Sequence, residues 1–214
     1  NKDISSPNLN GDGNGKNVTG FHIRLGIDTT FVEGNSETAI ILFRYSEALL
    51  SYAEAAEELE LCNDDVLNKT LKPLRERAGV TYICPSAIDP NFTDFGYELT
   101  PVMQEIRRER RAELAFQGFR QDDLMRWAGA GTLKGIDGRG RGAYLGKEGI
   151  LYRSFSPEGQ ESLKLVLKDN EGWMDPLQQY LPNGYLFDLK RDYLLPIPQD
   201  ELQLNRQLRQ NPGW

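Results

Sequence analysis

The sequence is poor in the side chains on which metal centres and thiol chemistry depend. It holds one histidine, His22, and two cysteines, Cys62 and Cys84, in 214 residues. With no Cys-x-x-Cys pair, a zinc site has almost no ligands to draw on. A small disulfide-stapled secreted domain would carry more cysteines in closer, even sets, so two unpaired thiols are expected. Positive charge is also short. Lys and Arg number 25 against 32 Asp and Glu, a net charge of −7, which argues against a nucleic-acid backbone as the main partner. Long apolar runs are missing too. The longest, Thr38 to Phe43, falls far below the ~20 residues that span a membrane.

Hydrophobic residues make up 39% of the chain and charged ones 27%, a balance that suits one domain or slightly more. The first residue is Asn1, and Asn, Gly, Asp and Ser dominate the stretch to Gly20. A processed or truncated start is expected, with any targeting or lipid-anchor signal lying upstream.

The first periodic segment runs from about Ile40 to Leu61. Tyr45, Ala48, Leu49, Tyr52, Ala53, Ala56 and Leu59 recur at three- and four-residue steps and line one helical face. Asn63 is expected to close this helix and Asp64 to cap the next, Asp65 to Ala78, where Pro73 predicts a kink or a split. Gly79 is its natural stop, and the pair reads as an antiparallel hairpin. Val80 to Leu99 is loop. Thr100 caps a helix beginning at Pro101 and continuing to Gly118. A shorter helix runs from about Arg120 to Ala128, and the glycine-rich Gly129–Gly149 stretch is loop, with short strands expected around Tyr144 and Tyr152. A weak strand or helix spans Leu163 to Lys168. An extended Leu194–Pro198 run and a short helix from Gln199 to Asn205 complete the chain. The fold class is therefore mainly α: loop-rich, with paired helices and minor short strands.

Several motifs stop short of a chemistry. Asn10-Gly-Asp12-Gly-Asn14-Gly15 begins like a calcium loop, yet Phe21 stands where the bidentate carboxylate belongs. Gly138-Arg-Gly-Arg-Gly142 is a single arginine–glycine copy in an acidic chain and reads as a solvated loop. Gly142-x-x-x-Gly146-Lys147 has the wrong spacing for a phosphate loop. Arg107-Arg-Glu-Arg-Arg111 could present a basic face to a phosphate. Glu105, Glu109 and Glu113 interleave it at pairing distance along a helix. Glu109, Arg110, Glu113, Arg120, Asp123 and Arg126 are accordingly expected to form a structural ion network joining two helices. No catalytic or metal-binding residue and no cofactor is expected. A carboxylate-dependent glycoside hydrolase stays open as an alternative, because carboxylates abound.

Aromatic side chains in the loops point instead to binding. Trp173, Tyr180, Tyr152 and Tyr144, with Tyr185, stand among polar and flexible residues rather than on helical faces. Such rings can stack on sugar faces while Asn, Asp and Arg bond hydroxyls, or they can pin loops to the core.

Four segments resemble the SusD/RagB family. They are Arg44-Tyr-Ser-Glu-Ala-Leu-Leu-Ser-Tyr-Ala-Glu-Ala56 with Arg75-Glu-Arg-Ala-Gly79, then Ile106 to Arg120 continuing through Asp123-Leu-Met-Arg-Trp127. Leu181-Pro-Asn-Gly-Tyr185 follows, and last Asp192-Tyr-Leu-Leu-Pro-Ile-Pro198 with the ending Gln210-Asn-Pro-Gly-Trp214. Gln117 and Pro73 depart from the family pattern. The resemblance implies the C-terminal portion of a longer protein whose N-terminal half carries tetratricopeptide-like helices. Here residues 1–38 would be a loop-rich lead-in, 40–129 a helical core and 130–214 a loop-rich C-terminal region. It further implies a non-catalytic lipoprotein at the cell surface, on the outer membrane of Bacteroidetes. Such a protein binds an oligosaccharide or peptide nutrient for a TonB-dependent (SusC-like) transporter and touches the membrane only through a lipid anchor outside this chain. A helical scaffold that binds another protein is the competing reading.

Overall fold

The computed structural model describes residues 19–21, 23, 25, 41–93, 95–133 and 139–214. His22 and the Asn10–Gly15 run lie outside the described residues, as does nearly all of the 1–38 lead-in. The chain forms two compact units, one of residues 26–129 and one of residues 1–25 with 130–214.

The first unit is helical: α1 (Tyr45–Glu58), α2 (Asp64–Lys69), α3 (Leu71–Arg77), α4 (Pro101–Glu113) and α5 (Phe119–Arg126). Its core is Leu50, Ala53, Leu67, Leu71, Leu74, Ile106 and Leu114, contributed by α1 to α4 and the residue that ends α4. The face of α1 that enters this core matches the expected stripe at Leu49, Ala53 and Ala56 and departs from it elsewhere. Leu50, Ala53 and Ala56 are buried, whereas Tyr45, Tyr52 and Leu59 are exposed. The helix is apolar on two sides, and periodicity alone does not say which side the partners α3 and α4 take.

Helix boundaries follow local chemistry. Asn63 caps α2 rather than closing α1, its Oδ1 accepting from Val66 N at 3.1 Å. α1 ends earlier, at Glu58, where Glu60 adopts φ 57° and Leu61 N returns to Ala56 O at 2.8 Å. The break after α2 falls at Thr70, whose hydroxyl donates to Val66 O at 2.7 Å, and not at Pro73. Pro73 occupies the first turn of α3, where a missing N–H leaves no intrahelical bond unmade. Gly79, at φ 74°, terminates α3 while Val80 N reaches back to Arg75 O at 2.9 Å, a left-handed closure that suits glycine. Thr100 caps α4 through Met103 N at 3.0 Å, with Pro101 at the first position.

The second unit is built from turns. It holds 3₁₀ turns at Ala130–Leu133 and Leu163–Leu165, and short helices α6 (Ile150–Ser154), α7 (Pro157–Ser162) and α8 (Gln199–Leu204). Tyr152, expected near a strand, lies in α6. Among the described residues only single β-bridges occur, including Tyr144 with Trp173 and Lys168 with Met174. Ala143, Leu145, Leu163 and Met174 form a small core, against which Leu151, Tyr152, Phe155 and Val166 pack.

Candidate functional site

Residues 142–145 and 172–174 lie side by side in the second unit. Gly142 N donates to Met174 O at 2.8 Å, Met174 N to Ala143 O at 3.0 Å, and Leu145 N to Gly172 O at 2.8 Å. The turn leading into the pairing is tied by Asp169, whose Oδ1 accepts from the N–H groups of Glu171 and Trp173, both at 2.9 Å. Gly172 takes φ 95° there, a conformation that side chains rarely adopt. The pairing buries Ala143, Leu145 and Met174 and turns Tyr144 and Trp173 to the other side, as strand alternation requires.

The two rings meet with centroids 5.0 Å apart, tilted by 56°. Trp173 keeps 36% of its surface exposed. Glycines leave room for the Tyr144 ring, since a Cβ at Gly146 would fall 2.1 Å from its hydroxyl and one at Gly149 2.9 Å from its Cδ1. The Tyr144 hydroxyl donates to Glu148. Arg141 pairs with Asp169 at 3.0 Å and with Glu171 at 2.9 Å. An aromatic step flanked by carboxylates and a guanidinium can meet both faces of a sugar, the apolar C–H surface and the hydroxyls.

The other aromatic candidates are placed differently. Tyr152 packs on the small core, and Tyr180 stands 80% exposed at the end of the 176–180 turn. Tyr185 is partly exposed. The arginine–glycine run is not a solvated loop. Arg139 is buried, pairs with Asp175 and donates to Leu181 O at 2.8 Å and Pro182 O at 3.2 Å, so it fastens the Leu181–Tyr185 segment.

In the helical unit, Arg110 Nε meets both oxygens of Asp123 at 2.9 and 2.8 Å, and Arg126 shares that carboxylate at 2.9 Å. Arg126 also forks onto Glu54 of α1 at 2.6 and 2.7 Å, and Trp127 Nε1 donates to the same Glu54. Three of the six residues expected to form one network, Arg110, Asp123 and Arg126, thus meet, with Glu54 as a member that the sequence reading missed. Glu109 pairs instead with Arg75 at 2.9 Å, and Glu113 with Arg44 and Arg77. Arg120 forms no ion pair among the described residues. Burial works to raise the Glu54 carboxyl, but hydrogen bonds from Arg126 and Trp127 hold it below the ordinary glutamate range.

Arg107 is buried without a carboxylate partner among the described residues. Its guanidinium sits 4.7 Å from the Trp127 ring, 5.2 Å from Phe95 and 5.5 Å from Tyr97, and donates to the Tyr97 hydroxyl at 2.6 Å. This cation–π cluster pins the 88–99 loop onto α4. Gly129 permits it, because a Cβ there would lie 2.5 Å from the Phe95 ring. A groove of about 590 Å³ runs over the loop, lined by Asp89, Phe92, Tyr97, Glu98 and Gln104 among others. Cys62 and Cys84 are free thiols. Burial, followed by the charge of Glu57, pushes Cys62 up to about 11, which leaves it protonated and unreactive at neutral pH.

The profile of the SusD family matches residues 3–214. The chain belongs to the SusD family. A SusD-like protein of Formosa agariphila, "SusD-like protein P2", is 31% identical over 180 residues, covering 84% of this chain and 26% of that protein. A solved SusD homolog from Bacteroides thetaiotaomicron shares 22% identity with a TM-score of 0.43, over 85% of this chain and 30% of that one. The chain thus spans under a third of the length of the SusD relatives it matches. Its mainly helical, loop-rich architecture is that of this SusD-family segment as the structure describes it. Among the described residues no helix is long and apolar enough to cross a membrane.

Proposed function

We propose that this chain belongs to a nutrient-binding protein of the cell surface that holds an oligosaccharide without cleaving it. The bound sugar passes to a TonB-dependent transporter in the outer membrane, and the protein is anchored there through a lipid outside these residues. Family membership supports the nutrient-binding role. The observation that carries the reading to this chain is the Tyr144–Trp173 step, an indole 36% exposed among hydrogen-bonding side chains. Tyr180, 80% exposed, is a further ring for a longer ligand, whereas Tyr152 supports the loop from beneath.

The buried carboxylates favour binding over hydrolysis. Glu54, Asp123 and Asp175 are each held by arginine. A glycosidase acid needs a carboxyl raised toward neutrality, and Glu54 is shifted the other way.

Trp173→Ala in the intact protein tests the reading, with affinity for a panel of neutral oligosaccharides measured by calorimetry. An aromatic face contributes about 0.5–1.5 kcal/mol beyond its buried area, so a roughly tenfold loss is expected with the melting temperature nearly kept. Unchanged affinity in a well-folded variant removes Trp173 from the site. The scaffold reading has one observation in its favour, the outward apolar face of α1 at Tyr45, Tyr52 and Leu59. Capture of a partner protein that Tyr52→Ser abolishes, with no saccharide binding at all, would decide for it.

A further inference from the structure

The Arg107–Arg111 run is not consumed by the helical unit. Arg107 is held by aromatic rings, Arg108 by Asp89 and Glu105, and Arg110 by Asp123. Arg111 is left over. It is exposed and has no carboxylate partner among the described residues. Arg120, the second residue of α5, is half-buried and also unpaired among the described residues. Asp123, whose charge reaches Arg120, already serves Arg110 and Arg126. Among the described residues, Asp123 and Glu54 pair with Arg110 and Arg126, and Arg111 and Arg120 are left without a carboxylate, inside a chain whose net charge is −7. Burial and the neighbouring charge of Arg111 both weaken the hold of Arg120 on its proton, and Asp123 only partly offsets them. Uncompensated cations taken partly out of water are costly unless an anion answers them.

The two arginines line a groove of about 200 Å³ together with Leu114, Phe116, Phe119, Arg110 and Asp123, whose carboxylate is already taken up by Arg110 and Arg126. Phe116 is 74% exposed and sits at φ 62°. That left-handed backbone is unfavourable for a side chain of its size. The groove therefore combines two guanidinium groups that have no carboxylate partner among the described residues with an exposed flat ring, at the volume of a single sugar unit.

We propose that this groove is a subsite for an acidic sugar, whose carboxylate bridges Arg111 and Arg120 while its ring lies against Phe116. The assignment rests on the saccharide-binding reading above and names a class of saccharide for it, one carrying uronic acids. Paired guanidinium groups present donors in the fork geometry that a carboxylate accepts, and the apolar wall excludes water behind it.

The test compares a short oligogalacturonate with the neutral galactose oligomer of equal length, titrated into the intact protein by calorimetry. Inorganic sulfate at matched ionic strength is the third titrant. The acidic oligomer should bind more tightly than the neutral one, and less so as salt is raised. Arg111→Gln and Arg120→Gln should each weaken the acidic oligomer by roughly ten- to a hundredfold, the worth of a charge-assisted hydrogen bond, and leave the neutral one unchanged. Arg111 is exposed, so its variant keeps the fold, and Arg120→Lys retains the charge should Arg120→Gln melt early. Equal binding of acidic and neutral oligomers overturns the subsite. So does full affinity in the Arg111 variant, or sulfate binding as tightly as the oligogalacturonate. If the arginine variants bind the acidic oligomer normally while Trp173→Ala does not, the subsite falls and the saccharide reading stands. If neither oligomer binds, both fall together.

Discussion

In residues 41–129 the bonds that join one element to another run mostly from side chain to side chain, arginine to carboxylate. Arg75 reaches from α3 to Glu105 and Glu109 on α4, Arg110 from α4 to Asp123 on α5, and Arg126 from α5 to Glu54 on α1. In residues 139–214 they run mostly from side chain to main chain. Arg139 holds the carbonyls of Leu181 and Pro182, and Gln210 grips Ile197 by both its N–H and its C=O, at 2.8 and 2.9 Å. Asn211 reaches Leu195 O at 2.6 Å, and Trp214 Nε1 reaches Leu194 O at 2.9 Å. Helices satisfy their own backbones and are free to join through side chains. Turns leave backbone groups open, and side chains must fill them.

The largest effect should come from the helical unit. Asp123→Ala strips the shared carboxylate from Arg110, whose side chain is only 7% exposed. Unpairing a buried charge costs about 3–5 kcal/mol, so chemical unfolding should shift by that much. Hydrogen exchange should speed up across α4 and α5. Exchange rising equally in residues 142–174 would erase the distinction between the two kinds of bonding. Next is Met174→Ala in the loop-rich unit. Met174 is 1% exposed in a core of four buried residues, and truncation of such a methionine costs about 2–5 kcal/mol. A core this small offers few neighbours to hold the cavity open. A value near the lower end, with the Trp173 fluorescence altered, is expected, and no change in either would show that the core contributes little.

These differences also explain what was legible in the sequence. Apolar periodicity and caps place α1, α4 and α5 nearly in full, because helical order is local. The ion network is legible only in part. Arg110, Asp123 and Arg126 lie within a short span, but Glu54 enters from α1, and no spacing rule links residues 54 and 126. Glu113 looks like a network member by its helical position, yet it faces Arg44 and Arg77 instead. In the loop-rich unit, Trp173 stands out by its polar neighbours, but its pairing with Tyr144 depends on a bridge across 29 positions. The Asp192–Pro198 and Gln210–Trp214 motifs are both visible as words, and nothing in either says that the second zips onto the first.

Gln210→Ala sharpens the contrast at smaller amplitude. It removes the acceptor of Ile197 N and the donor to Ile197 O, leaving both to water at a partly exposed site. About 1–2 kcal/mol of local stability is expected to go, measured as faster exchange or proteolysis near residues 194–214. Gln210→Glu keeps the acceptor and loses the donor, so it should restore part of the protection. Equal protection in all three proteins would mean that the tail is held by Trp214 and Arg191, whose guanidinium lies 4.7 Å from the indole.

The smallest effect is a pH dependence, and it asks whether charge itself holds the helical unit. Glu54 is buried, but its partner Arg126 has 42% of its side chain exposed, so water screens the pair from one side. Burial raises the Glu54 carboxyl, and hydrogen bonds from Arg126 and Trp127 more than reverse that, leaving it below 4.5. A carboxylate depressed on folding contributes stability that is fully present above its unfolded value and is lost as pH falls through its folded one. Glu54→Gln preserves the shape and one acceptor oxygen but cannot titrate. Wild type should therefore melt higher than the variant at neutral pH. The gap should narrow once pH passes below about 4.5 and close in stronger acid. A gap that stays constant through the acid range would assign the contribution of Glu54 to shape and neutral hydrogen bonds. In that case the α1–α5 contact would rest on bonds that need no ionised Glu54, and the contrast between the two units would lie in geometry rather than in charge.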